Sequence, residues 1–360
     1  MKIAVTTFQR AINHGAALQM YALCKTLEKT GNEIKIIDYV PQYPNYSGGI
    51  KQKIANILNH KTDKIKAQKY AQFKKDFLGD NMTEPYTYEQ LSEIEKDFDL
   101  FITGSDQLWN YRCGHFDKYY FLDFVTDKRK RASYAVSFNL ESIPDSAKQE
   151  YIRRLSGMNS ISVREDAGIK AVKELIGIDC EKHCDPTLLL TKGDWESVIS
   201  PVNIKEKYIA IYTLGKPIRL VDEARRLAEK TGCKILYLSD FYGNLDLKHL
   251  RGLGPMEFVS YLANAEYVFT NSFHGTAFSV NLHKNFFAEL NTLSNFYNYR
   301  AEALLKSCGL MNRTIEQCED ILEEAKKATD FSAVENVLDN ERKRSADYFT
   351  KLFNGCEANE

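Results

Sequence analysis

Short apolar runs of strand length alternate with helix-length amphipathic segments along most of this chain, and no other feature limits its fold as much. In the first half the runs are residues 2–8, 33–39, 98–103, 130–136 and 160–163. Between the first two, Leu18, Met20, Tyr21, Leu23 and Leu27 recur at helical spacing, and Gly31 is the natural stop. A second alternation follows Asp185-Pro186-Thr187. It comprises strands at 208–213, 234–238, 267–270 and 285–289, with helices over 221–230, near 255–263 and from about Ser272. Strands separated by helices predict parallel sheets covered by helices on both faces. The expected organisation is an N-terminal α/β domain over 1–190, a linker over 190–206, and a C-terminal α/β domain over 207–310. A polar helical tail over 311–360 is expected to pack back.

Composition narrows the class of function. The chain has 360 residues, 44% hydrophobic and 27% charged, with 48 basic against 49 acidic residues and a net charge of -1. This balance excludes disorder, and it lacks the basic footprint of a nucleic-acid binder. No apolar run reaches the ~18 residues of a membrane span. The opening MKIAVTTF reads as a buried strand rather than a secretory leader. Eight cysteines are scattered through apolar and helical patterns, as expected of reduced core thiols in a cytoplasmic protein. Cys180-x-x-His183-Cys184 has no second ligand pair of matching spacing, so it is expected to be a strand end and loop, with no metal. Residues 51–75 hold eight lysines and one acid, Asp63, with Ile50, Ile54, Ile57, Leu58 and Ile65 as an apolar stripe. Such a segment is either a solvated helix face or a peripheral contact with the inner face of a membrane.

Ligands of open α/β sheets bind at the carboxyl ends of the strands, and four post-strand segments there are unusual. Asn13-His14-Gly15-Ala16-Ala17-Leu18-Gln19 offers small residues at a helix start; a tight strand-to-helix turn would account for it equally well. Gly104-Ser105-Asp106-Gln107-Leu108-Trp109-Asn110 presents a hydroxyl, a carboxylate, an amide and an indole, a mix that suits a sugar. The alternative is a helix cap with a core tryptophan. Ile161-Ser162-Val163-Arg164-Glu165 delivers an arginine to grip a carboxylate or phosphate, unless Arg164 and Glu165 form a surface pair. Thr270-Asn271-Ser272-Phe273-His274-Gly275-Thr276 runs a strand into a helix whose first turn carries a histidine. That suits a phosphate and a proton exchange, the alternative being a core histidine.

In this order, these motifs resemble the polysaccharide pyruvyltransferase family. The matching residues are Asn13-x-Gly15-x-x-Leu18-Gln19, Gly104-Ser105-Asp106-Gln107-x-Trp109-Asn110, Ser133-Tyr134-Ala135-x-Ser137-Phe138, Ser162-Val163-Arg164-Glu165, Asp185-Pro186-Thr187 and Thr270-x-Ser272-Phe273-His274-Gly275-Thr276. The resemblance implies two Rossmann-like domains facing a cleft, as in the GT-B fold. It also implies transfer of pyruvyl from phosphoenolpyruvate to two hydroxyls of a sugar or lipid-linked oligosaccharide. The product is a pyruvate ketal of a surface or capsular polysaccharide, and no cofactor beyond that co-substrate is expected. Where members with a well-defined donor site carry Arg-Leu-His, this chain has Ser272-Phe273-His274. Arg300 is expected to supply the missing cation, which requires it to lie near His274.

The expected roles follow. His274 is the acid and Asp106 the base. Arg164, Asn271, Ser272, Phe273, His274, Gly275, Thr276 and Arg300 bind the donor. Asn13, Gly15, Gln19, Ser105, Asp106, Gln107 and Trp109 bind the acceptor. Two other functions fit the same architecture: a GT-B glycosyltransferase with a nucleotide-sugar donor, and a catalytically weakened glycan-binding protein.

Overall fold

A computed structural model describes residues 1–42, 50–113, 116–140, 142–239, 247–293 and 298–357. The chain divides into two compact units. Unit 1 comprises Met1–Ser47, Lys74–Leu189 and Asn340–Glu360; unit 2 comprises Gly48–Phe73 and Leu190–Asp339.

Unit 1 is built on seven parallel strands: β1 (Lys2–Thr6), β2 (Glu33–Tyr39), β3 (Met82–Tyr86), β4 (Leu100–Asp106), β5 (Arg131–Val136), β6 (Ser162–Val163) and β7 (Glu181–Lys182). Their order is β3-β2-β1-β4-β5-β6-β7. The central strands are buried along nearly their whole length, as strands covered on both faces must be. Order reverses between β1 and β4, which pair directly with Thr6 opposite Thr103. Ligands of open α/β sheets bind at such a switch point, outside the carboxyl ends of the two strands. Helix α1 (His14–Glu28) starts there, and it is buried continuously from His14 to Cys24.

Unit 2 repeats the plan on five parallel strands: β8 (Tyr208–Tyr212), β9 (Lys234–Tyr237), β10 (Lys248–His249), β11 (Tyr267–Thr270) and β12 (Asn285–Ala288). The order is β10-β9-β8-β11-β12, with the switch between β8 and β11. Helix α6 (Leu220–Thr231) follows β8 and stops at Gly232, whose φ of 71° is left-handed and suits glycine. Helix α7 (Pro255–Ala263) precedes β11, and α8 (Phe273–Asn281) follows it.

Three regions depart from expectation. Gly104, Ser105 and Asp106 belong to β4 rather than to a loop, because β5 continues the ladder past them: Gly104 lies opposite Tyr134 and Asp106 opposite Val136. The expected linker contains α5 (Lys192–Glu196), whose fully buried Trp195 packs edge-on against Phe278 within unit 2. The lysine-rich segment is helical, α2 (Ile50–Phe77). Ile65 is 39% exposed, and the side chains of the other stripe positions, Ile50, Ile54, Ile57 and Leu58, lie outside the described residues. Lys69 bonds both oxygens of Glu257 (2.8 and 2.6 Å) in the first turn of α7. No helix among the described residues is long and apolar enough to cross a membrane.

The final helix, α11 (Phe331–Glu357), contributes to both units. In unit 2, Phe331 stacks on His283, which also bonds Glu335 at 2.7 Å. In unit 1, Arg344 donates to the Lys182 carbonyl (2.8 Å), Tyr348 to the Ser133 carbonyl (2.7 Å), and Tyr134 to Ser345 (3.0 Å). This segment covers His183, which lies 2.8 Å from Ser162 and against the ring of Tyr348. Among the described residues, no three His, Cys, Asp or Glu side chains group to hold a metal.

Burial pushes the His183 imidazole down to about 4, against the opposing pull of Glu181. Between pH 6.5 and about 4 the unfolded chain therefore binds a proton that the folded one refuses. Stability is expected to fall as pH drops through this window, by up to about 3 kcal/mol from this residue. Denaturant titrations across the window check it: His183→Gln should flatten the slope, and an unchanged slope contradicts the assignment.

Candidate active site

At the switch point of unit 1, polar side chains mostly serve to lock the loops. Asn13 caps α1 by accepting from the Ala16 amide (3.1 Å), and Gly15 lies buried in the first turn. Gln19 is fully buried. Its amide donates to Thr7 (2.7 Å) and to the Ala16 carbonyl (3.0 Å), and it accepts from the Ser105 amide (3.1 Å). This one side chain ties the loop after β1 to the end of β4. Ser105 donates to the Ala135 carbonyl (2.6 Å), and Gln107 accepts from Asn110 (2.9 Å) and Asn139 (3.0 Å).

Trp109 corrects an expectation. It is 0% exposed, stacks on Phe121, meets Phe138 edge-on, and donates its indole N–H to the Tyr120 carbonyl (3.0 Å). A ring buried in this way cannot be a sugar platform; the residue belongs to the core. Gln19 and Ser105 are likewise committed to the scaffold. Trp109→Ala is expected to cost about 3–5 kcal/mol of stability, measured by denaturant unfolding. Unchanged stability with lost glycan binding would return the ring to the acceptor.

Asp106 has a different environment. Its side chain keeps 13% exposure, its backbone adopts a left-handed φ of 74°, and it stands 3.6 Å from the Arg164 guanidinium. Arg164 is 3% exposed and forms an ion pair with Asp185 through its other edge. Burial pulls this guanidinium's pKa down, but Asp185, Asp106 and Glu165 outweigh it and the net shift is upward. The alternative of a surface pair between Arg164 and Glu165 does not occur. Glu165 is buried and accepts from the Ser137 hydroxyl (3.0 Å) and the amides of Phe138 (2.8 Å) and Asn139 (2.9 Å). Sequence reasoning assigned no role to Asp185, and the Asp-Pro-Thr motif that carries it was the available signal.

In unit 2 the corresponding amide is Asn271. It accepts from the Leu214 amide (2.7 Å), joining the loop after β8 to the end of β11. Its carbonyl accepts from Asn298 (3.0 Å), which caps α9 (Tyr299–Ser307). Ser272 caps α8, and Thr276 donates back to the Ser272 carbonyl (3.0 Å), so both hydroxyls are used in building the turn. Gly275 is required because a Cβ there would collide with the Thr270 hydroxyl.

The turn places His274 edge-on against Phe273, with ring centroids 5.1 Å apart, and the Arg300 guanidinium lies 5.2 Å from the centre of that same Phe273 ring. His274 and Arg300 are both largely buried. The structure thus brings Phe273, His274 and Arg300 together at the start of α8, although Arg300 comes from another helix. A second helix start on this edge is filled. Glu289, just after β12, accepts from the amides of Ile218 (2.8 Å), Arg219 (2.6 Å) and Leu220 (3.2 Å) at the head of α6. Burial leaves this carboxyl's pKa raised despite those bonds.

Asp106 and Arg164 therefore lie in unit 1, and His274 and Arg300 in unit 2. Each set sits at the carboxyl edge of its own parallel sheet.

Comparison with solved structures agrees on the fold. The UDP-GlcNAc 2-epimerase from Neisseria meningitidis bound to UDP-GlcNAc aligns over 98% of this chain and 100% of its own, at 11% identity and a TM-score of 0.53. The UDP-GlcNAc 2-epimerase from Methanocaldococcus jannaschii aligns over 98% and 100%, at 14% identity and a TM-score of 0.51. At such identities the likeness is one of fold, the GT-B-like α/β class expected from the sequence. No curated protein matches the chain. The family model of the polysaccharide pyruvyl transferases matches residues 13–291, which takes in all four motifs and every described strand but β1. The chain is a transferase and belongs to the polysaccharide pyruvyl transferase family.

Proposed function

We propose that this protein transfers pyruvyl from phosphoenolpyruvate to two hydroxyls of one sugar during surface or capsular polysaccharide synthesis. The observation that carries the reading is the shared contact of His274 and Arg300 with Phe273 at the start of α8. Arg300 there restores a cation that Ser272 does not provide. A phosphate at this helix start would meet the guanidinium and the positive end of the helix dipole. The buried guanidinium of Arg164 suits the donor carboxylate by its charge and its paired N–H donors. His274 protonates the methylene carbon, leaving an oxocarbenium-like centre at C2. A sugar hydroxyl attacks C2 as Asp106 takes its proton. The second hydroxyl closes the ketal as phosphate leaves with its proton. Asp106 then releases its proton to solvent and His274 regains one from solvent, so the two hydroxyl protons balance the one gained by the methyl group and the one carried off on phosphate. On the same reading, the exposed Lys61, Lys64 and Lys75 of α2 meet an anionic membrane surface that carries a lipid-linked acceptor.

Glu289 favours this reading over a nucleotide-sugar donor. The start of the first helix after a Rossmann-type strand is a common seat for a nucleotide's phosphates, and in unit 2 the chain's own carboxylate occupies it. Thermal unfolding with added ligand tests the choice. Phosphoenolpyruvate should raise the melting temperature and nucleotide sugars should not. Stabilisation by a nucleotide sugar alone would overturn the assignment.

A further inference from the structure

The Asp-Pro-Thr motif has no place in the chemistry above, yet its carboxylate is fully buried and paired with Arg164, the arginine that stands next to the proposed base. Asp185 opens the short 3-10 turn Pro186–Leu188. One of its oxygens accepts from the Thr187 amide (3.0 Å) and hydroxyl (2.7 Å). The other oxygen forms the ion pair with Arg164. The turn fixes Asp185, Asp185 fixes one edge of the guanidinium, and the other edge is presented to Asp106 at 3.6 Å. That separation is longer than the ~2.7–2.9 Å of a close charge-assisted bond.

We infer that Asp185 is a positioning residue: by engaging Arg164 it keeps the guanidinium from closing on Asp106, so that the Asp106 carboxylate stays available to take a hydroxyl proton. The inference rests on the proposed role of Asp106 as base. Two partners compete for one guanidinium, and a buried arginine that loses one carboxylate moves towards the next, because leaving a buried charge uncompensated is costly.

Asp185→Asn is the informative variant, because an amide oxygen can still accept from Thr187 and preserve the turn while the ion pair is lost. A crystal structure of this variant without substrate should show Arg164 drawn onto Asp106 at hydrogen-bond distance. In phosphoenolpyruvate-dependent phosphate release, kcat should fall by about 10²-fold with little change in KM for the donor. Removing the misplaced cation as well, in R164Q/D185N, should recover much of that kcat while raising the donor KM. A purely structural role predicts losses that add. The inference is overturned if Arg164 keeps its wild-type distance from Asp106 in the variant, if D185N keeps wild-type kcat, or if the double variant is no faster than D185N. Wild-type protein with no phosphoenolpyruvate-dependent activity would instead refute the proposed function, and the substrate-free structure would still decide whether Asp185 restrains Arg164.

Discussion

His274→Ala is expected to lower the rate of phosphate release from phosphoenolpyruvate, with acceptor present, by at least about 10²-fold and as much as 10⁴-fold. Carbon protonation needs an acid held against the methylene group, and water in a buried site is a poor substitute. The imidazole is held by its contact with Phe273 and by the turn that Gly275 permits against Thr270. Alanine removes the acid without disturbing the Ser272 cap or the placement of Arg300 over the Phe273 ring. Donor binding should therefore survive, as a remaining thermal shift with phosphoenolpyruvate. Near wild-type turnover would remove His274 from the mechanism.

Asp106→Asn should cost a comparable ~10²–10⁴-fold in kcat, for a different reason. Asparagine tolerates the left-handed φ of 74° at this position, and Asp185 continues to neutralise Arg164. The change therefore removes a proton acceptor and leaves the scaffold intact. Donor binding should persist while turnover is lost. If donor binding vanished instead, Asp106 would belong to donor binding or to structure.

Legibility in the sequence followed burial. Strands β2 and β11 and helix α7 occupy the expected residues, because central parallel strands and their covering helices need continuous or periodic apolar runs. The edge strands β3 and β10 have no apolar run to announce them, and β7 shows only as the strand end expected at Cys180–Cys184: β7 and β10 are two-residue pieces, and β3 carries Glu84 and Pro85, so all three exist only because a neighbour offers a ladder. Gly104-Ser105-Asp106 has the composition of a loop, but pairing with β5 overrides local preference there.

At the candidate site, residue type identified the segments and tertiary placement assigned the work within them. An indole after a strand has the same sequence signature as a core residue or a sugar platform, and the Phe121 and Phe138 rings decide for Trp109. Asn298 and Arg300 lie well beyond the α8 turn in sequence. They reach it because Asn298 bonds the Asn271 carbonyl as it caps α9. The pairing of Arg164 with Asp185 depends likewise on β6 lying beside β7, which no local pattern announces.

The central claim is pyruvyl transfer itself, and mass spectrometry of acceptor sugars incubated with the protein and phosphoenolpyruvate tests it most directly. The account predicts one product heavier than its acceptor by pyruvic acid less water, with one phosphate released per product and both lost in His274→Ala. Addition of a hexosyl mass from a nucleotide sugar, or binding of glycan with no phosphoenolpyruvate-dependent mass gain across the acceptor panel, would contradict it.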